Sequence, residues 1–169
     1  MNIETVHRLL HAAREALDLS QSDVAEATGV STRTLHRMEN NFGMVGFDIL
    51  GKLRGYFDEL GMKLVADTDQ GRWSLMFSRD LAPAREPGWE QSIYDPIPAR
   101  VLKAARVMAG MTQAELSARA GLAHTTVRHL EKGSGKASLE SAYRLQQYLE
   151  GNGIKFSRPN GEFGWTLRC

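Results

Sequence analysis

Set against itself at an offset of 92 residues, the chain aligns positions 8–77 with 100–169 without a gap and returns 16 identities in 70 positions. That repeat constrains the fold more than any other feature, because one small unit must fold twice. The identities include Arg8/Arg100, Leu10/Leu102, Ala13/Ala105, Arg14/Arg106, Gln21/Gln113, Gly29/Gly121, Glu39/Glu131, Tyr56/Tyr148 and Lys63/Lys155. The register continues into Trp73/Trp165 and Leu75/Leu167, so the duplicated unit extends beyond its helices.

In the second copy, Thr112 with Glu115 three places on has the form of a capping box, Leu116 and Ala120 give an apolar edge, and Gly121 supplies a sharp turn. Leu122 seats that turn. A further helix starts near Ala123 and buries Val127 and Leu130, leaving His124, Thr125, Arg128 and His129 outward. Two short helices joined at a glycine form a helix-turn-helix, and the outward face suits the major groove of DNA. In the first copy, Val6, Leu10, Ala13 and Leu17 make an amphipathic opening helix. Ser20 caps the next helix, whose Val24 and Ala27 face inward, and Gly29 turns the chain. Ser31 caps the third, where Leu35 and Met38 are inside and Thr32, Arg33, His36 and Arg37 outside. A fourth helix carries Phe47, Leu50, Leu53 and Phe57, matched by Leu139, Ala142, Leu145 and Leu149, so that each bundle is expected to have its own core.

After Gly61 the pattern alternates through Met62, Leu64 and Ala66, turns between Asp67 and Gly71, and resumes at Trp73, Leu75 and Phe77, which predicts a hairpin. The second copy repeats it with Ile154 and Phe156, a Pro159–Gly161 turn, and Phe163, Trp165 and Leu167. A lone two-stranded ribbon is marginal, so each hairpin must pack on its bundle, pair with the other hairpin, or pair with another molecule. The expected organisation is a mainly α chain of two units, residues 1–77 and 98–169, separated by a Pro-containing linker at 78–97. An extended linker of that length reaches about 60 Å, beyond the ~34 Å between major-groove faces on one side of a duplex.

Charge is unevenly divided. Residues 1–80 hold 9 Lys and Arg against 12 Asp and Glu, while residues 81–169 hold 12 against 8, so attraction to phosphate should reside mainly in the second copy. The two loops after the reading helices differ likewise: Lys132 and Lys136 flank Gly133, Ser134 and Gly135, whereas Asn40 to Met44 carry no cation. No apolar run is long enough to span a membrane, the N-terminus lacks a signal-peptide pattern, and a cytoplasmic location is expected. The single cysteine, Cys169, excludes an intrachain disulfide. His7 and His11 stand one turn apart without a third ligand, and neither a catalytic triad nor paired acids recur with the repeat. The chain is therefore expected to be no enzyme and to need no cofactor or metal.

Arg106, Gln113, Ala114–Leu116, Gly121 and Glu131 occupy their expected places, and over roughly 50 residues each copy resembles the phage-repressor and Cro (XRE, lambda-repressor-like) helix-turn-helix family. That resemblance implies two lambda-repressor-like bundles, each followed here by a C-terminal β-hairpin. It implies that Arg14–Glu39 and Arg106–Glu131 are partly buried salt bridges of the scaffold. It implies also that Gln21 and Gln113 hold backbone phosphate at a helix start. Ala123 departs from the pattern, which has Ser there.

The DNA-binding set is then Gln21, Thr32, Arg33, His36 and Arg37 in the first copy, and Gln113, His124, Thr125, Arg128, His129, Lys132 and Lys136 in the second. The function expected is that of a bacterial or phage transcription regulator, a repressor by family habit, acting on double-stranded operator DNA at the nucleoid. Its two unlike heads would read unlike half-sites, and the hairpins offer a route to a homodimer. The competing reading is a protein-binding antitoxin or anti-activator that uses the hairpins and one degenerate helix-turn-helix.

Overall fold

The computed structural model describes residues 3–43, 45–67, 72–82, 97–159 and 164–169, with the backbone alone for Ile3 and Asp67. The proposed linker, apart from its ends, and the tips of both hairpins lie outside the described residues. Repeat one comprises α1 (Ile3–Ala16), α2 (Gln21–Thr28), α3 (Thr32–Glu39), α4 (Phe47–Glu59), β1 (Met62–Asp67) and β2 (Arg72–Phe77). Repeat two comprises α5 (Ala99–Met108), α6 (Gln113–Ala120), α7 (His124–Lys132), α8 (Leu139–Gly151), β3 (Lys155–Ser157) and β4 (Thr166–Arg168). The fold is mainly α, as the periodicity predicts.

Helix starts follow local chemistry. Ser20 accepts from the Asp23 amide while Asp23 accepts from the Ser20 amide, and Thr112 with Glu115 forms the same reciprocal pair. Ser31 caps α3, whereas Ala123 at the matching position of α7 offers no side-chain cap. Gly29 and Gly121 end α2 and α6 in the left-handed region at φ 70° and 66°, which turns the chain sharply into the reading helices. Pro98 sits just before α5 as its cap residue.

The hairpins pair with each other. One four-stranded antiparallel sheet has the order β1-β2-β4-β3, with Leu75 opposite Leu167 at the central seam. These two leucines are copies of one another, so a local twofold axis passes between them. The outer pairs obey it too: Leu64 faces Leu75 as Phe156 faces Leu167. Gly164 makes the seam tight, since a Cβ there would lie 2.5 Å from the Phe77 carbonyl oxygen.

The helices repeat this pairing, because α1 packs along α5. On α1 the stripe Val6–Leu10–Ala13 serves its own bundle, and a second buried stripe, Leu9–Ala12–Ala16, lies about a quarter turn away. Its counterparts on α5, Val101, Ala104 and Met108, are equally buried. The expectation of two separate cores is therefore corrected: the apolar residues of both copies form one continuous cluster. Five smaller expectations change through local packing. Phe47 and Leu139, expected in the core, are 72% and 55% exposed, because each is the first residue of its helix, ahead of the buried stripe that starts at Leu50 and Ala142. Ala27 and Ala66 are exposed, and Leu130 is only half-buried because Glu131 takes the inner place beside Val127. Among the described residues no helix is long and apolar enough to cross a membrane.

Candidate nucleic-acid interface

Each reading head is fixed to its scaffold by one ionic cluster. Arg14 on α1 donates from Nε and Nη2 to the two carboxylate oxygens of Glu39 at 2.6 and 2.7 Å, and from Nη1 to the Leu19 carbonyl at 2.7 Å. Gln21, the first residue of α2, donates from Nε2 to the same carboxylate at 2.7 Å. Three helices thus meet at Glu39. Repeat two rebuilds the arrangement with Arg106, Glu131, the Met111 carbonyl and Gln113. The salt bridges that the resemblance implies are present, and both are bidentate.

Electrostatics follow from this geometry. Burial pushes the Glu39 carboxyl up, but hydrogen bonds from Arg14 and Gln21 and the positive charge at His11 and Arg14 outweigh it, holding it below the usual range. The Glu39 and Glu131 side chains are only 4% and 1% exposed, and they are the sole acids of α3 and α7. Each reading helix has withdrawn its one carboxylate from the face that would meet phosphate.

What remains outward is Thr32, Arg33, His36 and Arg37 on α3, and His124, Thr125 and Arg128 on α7, all exposed, with His129 half-buried. Lys132 and Lys136 are exposed beside α7. Gln21 and Gln113 are half-buried, each with one amide N–H committed to its glutamate and a second available. Arg37 and His129, equivalent by the repeat, turn toward the following loop: Arg37 Nε donates to the Phe42 carbonyl at 3.1 Å, and His129 Nδ1 lies 3.0 Å from Ser134 Oγ. Sequence reasoning missed that shared latch and missed Phe42. The signal available was an aromatic residue in a polar loop, aligned with Ser134.

A cleft of about 700 Å³ separates the two heads. Repeat one contributes Arg8, His11 and Asn40 at the end of α3, and repeat two contributes Thr112, Gln113 and His124 at the starts of α6 and α7. Burial lowers the His11 pKa despite the nearby Glu39. Lys103, the copy of His11, instead reaches across to Asp18 at 2.6 Å and Glu15 at 3.9 Å, tying repeat two to repeat one.

A family model described as helix-turn-helix matches residues 10–60 and again residues 102–152, together more than half of the chain. The chain belongs to this helix-turn-helix family. Its two helix-turn-helix units, α2–α3 and α6–α7, each fall inside one match, and the family is one of DNA-binding transcription regulators. No curated protein and no solved structure matches the chain.

Proposed function

We propose that this helix-turn-helix protein is a sequence-specific regulator that reads the major groove of double-stranded DNA with two unlike recognition helices held in one covalent pseudo-dimer. The observation that carries the reading is the pair of exposed helix faces stripped of acid, on two copies locked together by the α1–α5 contact and the Leu75–Leu167 seam. A duplex offers phosphate on both sides of the groove and base edges within it, so such a face meets complementary chemistry.

In this reading Arg33 and Arg128 make paired hydrogen bonds to guanine, while Thr32, His36, His124 and Thr125 reach other base edges. Lys132 and Lys136 contact phosphate. Gln21 and Gln113 use their second amide N–H, with the helix-start amides, for the same purpose. Arg37 and His129 brace the loops beside their helices. Residues 1–77 and 98–169 are the two reading units, and their unlike faces call for a target that is not palindromic. Occupancy of a promoter by such a unit gives repression, in the cytoplasm at the nucleoid.

Selection of duplexes from a random pool by the intact chain at ~50 mM salt tests this. The expected result is an enriched asymmetric site whose affinity falls steeply with salt. Absence of any salt-dependent duplex binding would sink it. The competing antitoxin or anti-activator reading draws on the outer strands β1 and β3, whose far edges end the sheet, and on exposed Phe47 and its copy Leu139. It requires a protein partner bound by chain that ignores duplex DNA.

A further inference from the structure

The loop after α3 presents Phe42 in an unusual way. The residue is 62% exposed, although its backbone is held at both ends by a single residue. The Phe42 amide donates to the Arg37 carbonyl at 2.7 Å, and the Arg37 guanidinium donates to the Phe42 carbonyl at 3.1 Å. Asn41 before it adopts a left-handed φ of 56°, and Gly43 after it, at φ 99°, leaves room for the guanidinium, which lies 3.0 Å from where a Cβ would stand. The ring centroid sits 6.5 Å from that of His36, an outward residue of the reading helix. An apolar ring is thus presented beside the outward face of α3, by a clamp that leaves it uncovered.

The other copy supplies the contrast. Its loop uses the same backbone bond, Ser134 amide to His129 carbonyl at 3.3 Å, and the same left-handed turns at Gly133 and Gly135, but presents a hydroxyl between two lysines. Repeat two therefore offers charge beside its reading helix, and repeat one offers an aromatic face.

Building on the proposed DNA-reading function, we infer that Phe42 is a specificity-determining residue that packs on the apolar wall of the groove, a thymine methyl or the adjoining deoxyribose, at the half-site read by repeat one. Phe is among the residues that recognise thymine by its methyl group. The contact is continuous with the α3 reading face, and the aligned hydroxyl of repeat two cannot make it. Repeat one compensates in this way for the cations that its loop lacks, so its half-site is held with little release of counterions.

The test uses the full chain and the duplex that the parent enriches from a random pool, with the repeat-one half identified as the half whose protection Arg33→Ala removes. Phe42→Ser is expected to weaken binding roughly tenfold with the salt slope and thermal stability unchanged, because the clamp uses backbone atoms of Phe42. Phe42→Leu is expected to restore most of the loss. Replacing thymine by uracil in that half weakens the parent but not Phe42→Ser if the methyl is the contact. If the ring rests on deoxyribose, uracil changes neither, while Phe42→Ser still weakens binding. Binding of Phe42→Ser within twofold of the parent overturns the inference, as does a loss that comes with an altered salt slope. A parent that binds no duplex defeats the DNA-reading proposal itself, which separates the two failures.

Discussion

Replacing Glu39 by Leu should cost this protein about 3 kcal/mol, at the lower end of the range for removing one partner of a buried ion pair. The substitution strands Arg14, only 8% exposed, and removes three close hydrogen bonds, two from Arg14 and one from Gln21. Arg14 keeps the Leu19 carbonyl at 2.7 Å and Glu15 at 3.1 Å, which is why the loss falls near the bottom of that range. For 169 residues such a cost lowers the thermal midpoint by about 6–12 °C. Adding Arg14→Met should recover most of it, since the charge needing a partner is then gone as well.

The cost should also vary with pH. Glu39 titrates below its ordinary value of 4.5 in the folded chain. Its contribution is then complete above that value and lost as pH falls through the folded value. Urea unfolding of the parent, Glu39→Leu and Arg14→Met/Glu39→Leu should show the parent's advantage over the single variant at neutral pH narrowing below about pH 4.5. A loss under about 1 kcal/mol, or a double variant no better than the single, would refute a charge-pairing role.

His7 is 2% exposed and its Nε2 has no hydrogen-bond partner among the described residues, so His7→Leu should stabilise the chain by about 1 kcal/mol in urea unfolding. Burial lowers the His7 pKa from 6.5, and the unfolded chain then binds the proton first. The parent loses stability as pH falls below about 6.5, and the gain from His7→Leu should be larger at pH 5.5 than at pH 8. Gly164→Val drives a side chain into the Phe77 and Ser78 carbonyl oxygens, and a drop of about 3 kcal/mol is expected by thermal melting; an unchanged midpoint would mean that the seam is loose. Arg128→Ala should cost about 1–3 kcal/mol of DNA affinity and relax base preference in a mixed-duplex competition. Lys136→Ala should instead weaken all duplexes alike and reduce the salt slope by about one unit.

Within each copy the sequence was enough to locate the elements. Caps at Ser20 and Thr112, left-handed turns at Gly29 and Gly121, and inward Leu35 and Val127 are short-range matters of helix geometry, legible from spacing alone. The ion pairs at Arg14–Glu39 and Arg106–Glu131 came from family resemblance, and the third member, the glutamine donor, did not, because a side chain's partner depends on where three helices converge. The outward residues of α3 and α7 were legible as a face. That Arg37 and His129 bend back to residues 42 and 134 was not, since nothing in their spacing distinguishes a base reader from a loop brace.

The sequence by itself determined that one unit occurs twice and, through Leu10, Leu35 and Leu53 and their copies, where the inner side of each bundle lies. Only the tertiary structure decided what the copies do with each other. Alternation along a strand specifies its faces but not its neighbour, so the hairpins had three open partners until Leu75 was seen opposite Leu167. Likewise the spacing of Val6, Leu10 and Ala13 gives α1 one inner face and says nothing of a second stripe, Leu9–Ala12–Ala16, which is buried because α1 packs on α5, and that contact joins two small bundles in a single core.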